Sequence, residues 1–117
     1  MIAQVRPADF AAWLAAVAQS HPMDAPVLLD VREPYELGWA QLAQGTDFRV
    51  VAIPMAQLPA RLAELDPDQA IACLCHHGMR SMQVARFLVS NGFDHVVNIE
   101  GGIDAWSTQV DSTIARY

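Results

Sequence analysis

Two short runs, VLLDV at residues 27–31 and IACLC at 71–75, limit the folds open to this chain. Neither alternates apolar with polar residues, so each reads as a strand covered on both faces. Strands of that kind belong to parallel sheets, in which crossover helices cover the two sides. The chain between and around them has to supply such helices.

It does so in order. Ile2 to Val5 is a short apolar start, Pro7 suits a first helical turn, and Phe10, Trp13, Leu14 and Val17 follow at helical spacing. His21-Pro22 closes that helix. A short helical piece is expected over Pro34 to Gly38, and a strand over Val50 to Ile53, stopped by Pro54. Leu58, Leu62 and Leu65 mark an amphipathic helix over Met55 to Leu65. A further helix is expected from Ser81 to Asn91, ended by Gly92, with Phe93 packing back beyond the cap. His95 to Ile99 reads as the last strand, and Gly101-Gly102 leads into a helical turn carrying Trp106. The expectation is one α/β domain over residues 1–117, with a central parallel sheet of about five strands and helices on both faces.

Composition removes several functions. A net charge of −6 opposes non-specific nucleic-acid binding. Lysine is absent, which excludes Schiff-base chemistry and a P-loop lysine. No apolar run is long enough to span a bilayer. The opening MIAQVRPADF lacks the charged start and apolar core of a signal peptide, so a cytoplasmic setting is expected. The two cysteines, Cys73 and Cys75, lie too close along one strand to bridge comfortably, and reduced thiols fit that setting.

In open α/β sheets ligands sit beyond the carboxyl ends of strands. Cys75 ends a strand there and starts the six-residue segment Cys-His-His-Gly-Met-Arg. From the strand alone, a buried thiol and a nucleophile fit equally well. A loop curled around the sulfur would turn its N–H groups inward, and the helix near Arg80 would add its positive end. Gly78 permits the turn, and Arg80 either braces the loop or binds an anion. An ordinary thiol with a pKa of about 8.5 is only slightly ionised at neutral pH. Lowering such a value by two units takes roughly 2.7 kcal/mol. A helix end supplies about 0.3–1 kcal/mol, so several donors have to converge.

Four stretches together resemble the rhodanese-like sulfurtransferases over most of the chain. LLDVREPYEL at 28–37 resembles their D-V-R-E-x-x-E segment, and VVAIPMAQL at 50–58 their strand-to-helix step. CHHGMRS at 75–81 resembles their C-x-x-G-x-R-S loop, and VVNIEGGIDAW at 96–106 their ending. The resemblance implies a persulfide on Cys75, formed from thiosulfate or a persulfide donor and passed to a thiol or protein acceptor. It implies a binding loop of His76, His77, Gly78, Met79 and Arg80, support from Asp30, Arg32 and Ser81, and no cofactor. Related phosphatases have one more residue between cysteine and arginine, whereas four separate Cys75 from Arg80 here, which favours sulfur over phosphate.

Two departures are notable. His76 and His77 stand where thiosulfate-using members often carry a cation, and neutral imidazoles attract a dianion weakly. ELGWAQLAQGTDFRV replaces the family's G-H-I-P-G-A segment, placing Trp39 where its histidine falls. A non-catalytic partner-binding module is therefore the alternative function.

The remaining residues have plainer readings. Cys73 shares its side of the strand with Cys75 and reads as core. Adjacent histidines rarely reach one metal in tetrahedral geometry, so no metal is expected. Asp30 reads as a structural acceptor, Arg32 and Glu33 as members of supporting pairs, and Glu36 as solvated. Trp13 and Trp106 read as core, and Trp39 as exposed.

Overall fold

A computed structural model describes residues 2–20, 25–43, 45 and 47–117. Five parallel strands form one sheet: β1 (Ala3–Val5), β2 (Val27–Asp30), β3 (Arg49–Ala52), β4 (Ile71–Leu74) and β5 (Val96–Ile99). Their order across the sheet is β1-β5-β4-β2-β3. The two unalternating runs occupy the middle, with Leu29 opposite Cys73 and Asp30 opposite Leu74. Every residue of β2 and β4 is buried. That burial is why neither run carries a polar face.

The pleat sorts these side chains into two cores. Val27, Leu29, Ile71, Cys73 and Cys75 face one way, toward Leu58 of α3 (Leu58–Arg61) and toward Val84, Ala85 and Leu88 of α4 (Met79–Ser90). Leu28, Ala72 and Leu74 face the other way. They meet Phe10 of α1 (Phe10–Ser20), and Ile103 and Trp106 of α5 (Gly102–Gln109). Each fully buried aliphatic residue contributes about 1.5–3 kcal/mol of transfer free energy, so the two layers carry most of the stabilisation. The sandwich is an α/β fold with helices on both faces, as expected. None of the described helices is long and apolar enough to cross a membrane.

The elements depart from expectation in two places. The helix expected over Met55–Leu65 is split into a 3-10 turn (Met55–Gln57), α3, and a second 3-10 turn (Leu62–Glu64). Pro59 has no N–H to offer the Met55 carbonyl, which instead accepts from Leu58. Leu58 and Leu65 still enter the core, so the amphipathic face survives the break. Helix α4 starts at Met79, two residues early, because Gly78 caps it in the left-handed region at φ 102°. It ends as expected, with Gly92 at positive φ and the Phe93 amide donating back to the Leu88 carbonyl. The short α2 runs Pro34–Leu37, its first turn closed by a reciprocal pair between Glu33 and Glu36. The expected helix stop at His21-Pro22 lies outside the described residues.

Candidate active site

The loop that leaves β4 is pinned from beneath by α5. The Cys75 carbonyl accepts the Ile103 amide at 2.9 Å, and the His76 carbonyl accepts the Asp104 amide at 3.1 Å. This close approach requires glycine at 102. Its φ is 62°, and a Cβ there would stand 2.4 Å from both the Cys75 and His76 carbonyl oxygens. The loop is therefore seated on the helix end, and its carbonyls point down.

Its N–H groups are then free to turn toward sulfur. The Gly78 amide donates to Cys75 Sγ at 3.0 Å. The Ser81 hydroxyl lies 3.2 Å from the same sulfur and 2.5 Å from Asn98 Oδ1. One hydroxyl proton cannot serve both acceptors. With a thiolate it is able to turn to sulfur, and with a thiol the S–H donates to Ser81 Oγ while the hydroxyl serves Asn98. Asn98 Nδ2 donates in turn to the Gly78 carbonyl at 3.1 Å, which fixes the peptide whose neighbour faces sulfur. Several converging amides were expected. Among the described residues one amide reaches Sγ, and the Ser81 hydroxyl joins it.

Arg80 is the brace of the two roles open to it. Its guanidinium meets Glu36 with Nη1 to Oε2 at 2.6 Å and Nη2 to Oε1 at 2.8 Å. A cation in the first turn of a helix is unfavourable alone, and the carboxylate offsets it. Glu36 is thus a correction: it is 4% exposed rather than solvated. It also accepts the Glu33 amide at 2.8 Å and the Tyr117 hydroxyl at 2.9 Å. The Arg80 bond, helped by these two donors and opposed by burial, holds the Glu36 carboxyl down at a pKa of about 2. Asp30 and Arg32 form a second, fully buried pair, Nη2 to Oδ2 at 2.7 Å. Asp30 is the structural acceptor expected, and Arg32 passes a further N–H to the Tyr117 hydroxyl at 3.0 Å.

The other expected loop residues differ in exposure. Met79 is 78% exposed and Trp39 56% exposed, whereas Trp106 is core and Trp13 lies half-buried against it. Cys73 is fully buried among aliphatic groups, and that burial pushes its thiol pKa up. Cys75 is itself only 1% exposed.

His76 is sandwiched between His77, at 3.8 Å between centroids, and Tyr117, at 3.9 Å and nearly parallel. Burial, then the neighbouring His77, lowers the His76 pKa. The ligand atoms of His76, His77 and Asp104 come within 4.8 Å of one another. Their geometry is a poor match for a tetrahedral ion. Imidazole lone pairs lie in the ring plane, and rings only 31° apart send them alongside each other rather than to a common point. Asp104 is also held by Arg116 at 2.9 Å.

Three site residues escaped the sequence reading. Asn98 left a signal, a lone amide in the apolar run VVNI, since a polar side chain buried in a strand needs partners. Asp104 and Tyr117 left none, because their contacts lie far off along the chain.

Known proteins share this architecture. A family model described as the rhodanese-like domain matches residues 10–109. The chain is 42% identical over 99 residues to the rhodanese-like/PpiC domain-containing protein 12, chloroplastic, of Arabidopsis thaliana, covering 81% of this chain and 31% of that protein. It therefore spans less than a third of the plant relative. A sulfurtransferase of Allochromatium vinosum is 35% identical over 81 residues, covering 69% of this chain and 71% of its own length. The crystal structure of a rhodanese-related protein from Thermoplasma volcanium superposes with a TM-score of 0.71 at 30% identity, covering 92% of this chain and 93% of that one. With a family match this long laid over a cysteine loop at the carboxyl edge of a parallel sheet, the chain belongs to the rhodanese-like domain family.

Proposed function

We propose that this chain, acting as a single domain over residues 1–117, is a sulfurtransferase that carries sulfane sulfur as a persulfide on Cys75. The Cys75 thiolate attacks the outer sulfur of the donor and expels the remainder, sulfite from thiosulfate or a thiolate from a persulfide. An acceptor thiolate then attacks the outer sulfur, takes it away as a new persulfide and returns Cys75 to its thiolate. The cycle is ping-pong and balances without a cofactor.

The observation that carries this reading is the seating of Cys75 Sγ against the Gly78 amide and the Ser81 hydroxyl. Donors fixed around an anion stabilise it without reorganisation, as an oxyanion hole does. His76, His77, Gly78 and Met79 form the reactant-facing loop, Arg80 braces it through Glu36, and Asp30, Arg32 and Ser81 support it. The residue after Cys75 is a half-buried histidine rather than a fixed cation, which favours a persulfide over the thiosulfate dianion. A cytoplasmic site of action belongs to the same proposal.

Intact-mass measurement after incubation with a panel of sulfur donors tests it. One added sulfur on Cys75 is expected, and no adduct from any donor on a confirmed free thiol rejects it. A second reading draws on the 1% exposure of Cys75: a module that presents this loop to a partner without turnover. It predicts that Cys75→Ser keeps partner capture while wild-type transfer is negligible.

A further inference from the structure

Cys75 is buried, and residues 111–117 pack beside the loop that begins with it. The segment runs back along α5 from its last turn, where the Ser107 hydroxyl donates to the Ile114 carbonyl at 2.7 Å. Arg116 Nε donates to Asp104 Oδ1 at 2.9 Å, and the Asp104 amide holds the His76 carbonyl. The segment then delivers Tyr117 between two walls of the site. Its ring stacks on His76 of the cysteine loop and lies 5.3 Å from the Trp39 ring just beyond α2. Its hydroxyl accepts from Arg32 and donates to Glu36.

We infer that Tyr117 is a specificity-determining residue, whose ring narrows the entrance between α2 and the Cys75 loop and selects among reactants by size. The inference deepens the sulfur-transfer reading and rests on it. Three features support it. At 1% exposure, Cys75 is out of a reactant's reach until some neighbour moves. Tyr117 links the loop wall to the α2 wall, so its displacement opens the gap between them. The ring contacts and the hydroxyl bonds to Arg32 and Glu36 are all made by the one Tyr117 side chain, so a single displacement breaks them together. Neither Tyr117 nor Arg116 belongs to the loop that holds sulfur, so shortening them leaves the donors at Gly78 and Ser81 in place.

The test is the rate of Cys75 modification, mapped by peptide mass, with N-ethylmaleimide and with a pyrene-bearing maleimide. In Tyr117→Ala the bulky reagent is expected to gain about tenfold over wild type, since reactivity scales with the population of the open form. The small reagent is expected to gain clearly less. Tyr117→Phe keeps the ring and is expected to keep the wild-type selectivity. Should Tyr117→Ala fail to fold, Arg116→Ala frees the residue next to Tyr117 from Asp104 and is expected to favour the bulky reagent in the same way. Equal gains for the two reagents, unchanged rates in the alanine variants, or no modification of Cys75 in any variant would overturn the inference. Alkylation needs no sulfur donor, so its result stands apart from that of the persulfide measurement.

Discussion

Arg80 and Glu36, 44 residues apart in sequence, meet through two parallel hydrogen bonds at 2.6 and 2.8 Å and tie the far end of the cysteine loop to α2. The pair has a defined pH signature. Glu36 has a pKa of about 2 here against an ordinary 4.5, so its folded state releases the proton more readily than its unfolded state. Its stabilising contribution is complete above the unfolded value and disappears as pH falls from about 4.5 to about 2. The shift corresponds to about 3 kcal/mol at neutral pH. Glu36→Gln is expected to lower stability by about 2–3 kcal/mol at pH 7, with a much smaller gap from wild type near pH 2.5. Urea titrations of both proteins across that range measure it, and a gap that does not change with pH contradicts it.

The two cysteines are expected to separate cleanly. Cys73→Ala empties a fully buried position and is expected to cost about 1–2 kcal/mol while leaving sulfur loading intact. Cys75→Ser is expected to abolish loading. Mass analysis after donor treatment, paired with thermal melts, reads both effects. Loading retained by Cys75→Ser and lost by Cys73→Ala would reverse the assignment.

Ser81→Ala removes a hydroxyl shared by Cys75 Sγ and Asn98 Oδ1. The buried Asn98 oxygen then loses that donor, at a cost of about 1–3 kcal/mol in stability. Sulfur loading is expected to slow about fivefold to tenfold, the weight of about one net hydrogen bond to the developing anion. Stopped-flow loading kinetics beside denaturation curves check the two numbers independently.

Glycine positions give a contrast between strain and collision. Gly92 has φ 89°, and a Cβ there meets nothing within 4 Å. Gly92→Ala therefore bears only conformational strain and is expected to lose about 1–2 kcal/mol. Gly102→Ala adds a collision with two backbone carbonyls at 2.4 Å, atoms that cannot step aside like a side chain. Its loss is expected to exceed that of Gly92→Ala by about 2 kcal/mol or more, with slower sulfur loading because the Cys75–His76 segment is displaced. Equal losses in urea denaturation would show that the helix–loop contact yields.

Local chemistry was enough to place the central strands, most of the helices and the cysteine. VLLDV and IACLC lack alternation because both faces are buried, and Gly78 and Gly92 bound α4 through φ values that other residues rarely adopt. Those signals lie within a few residues of their effects. Pro59 is equally local: its missing N–H breaks the helix that the apolar spacing of Leu58, Leu62 and Leu65 implies. Tertiary structure alone decided the partners of the loop. Whether Glu36 faces water or Arg80, whether Asn98 meets Ser81, and whether Tyr117 lies on His76 each depend on chain segments brought together by parallel crossovers. No local pattern encodes such meetings, because the energy that selects them is gained only after the cores on both faces of the sheet have closed.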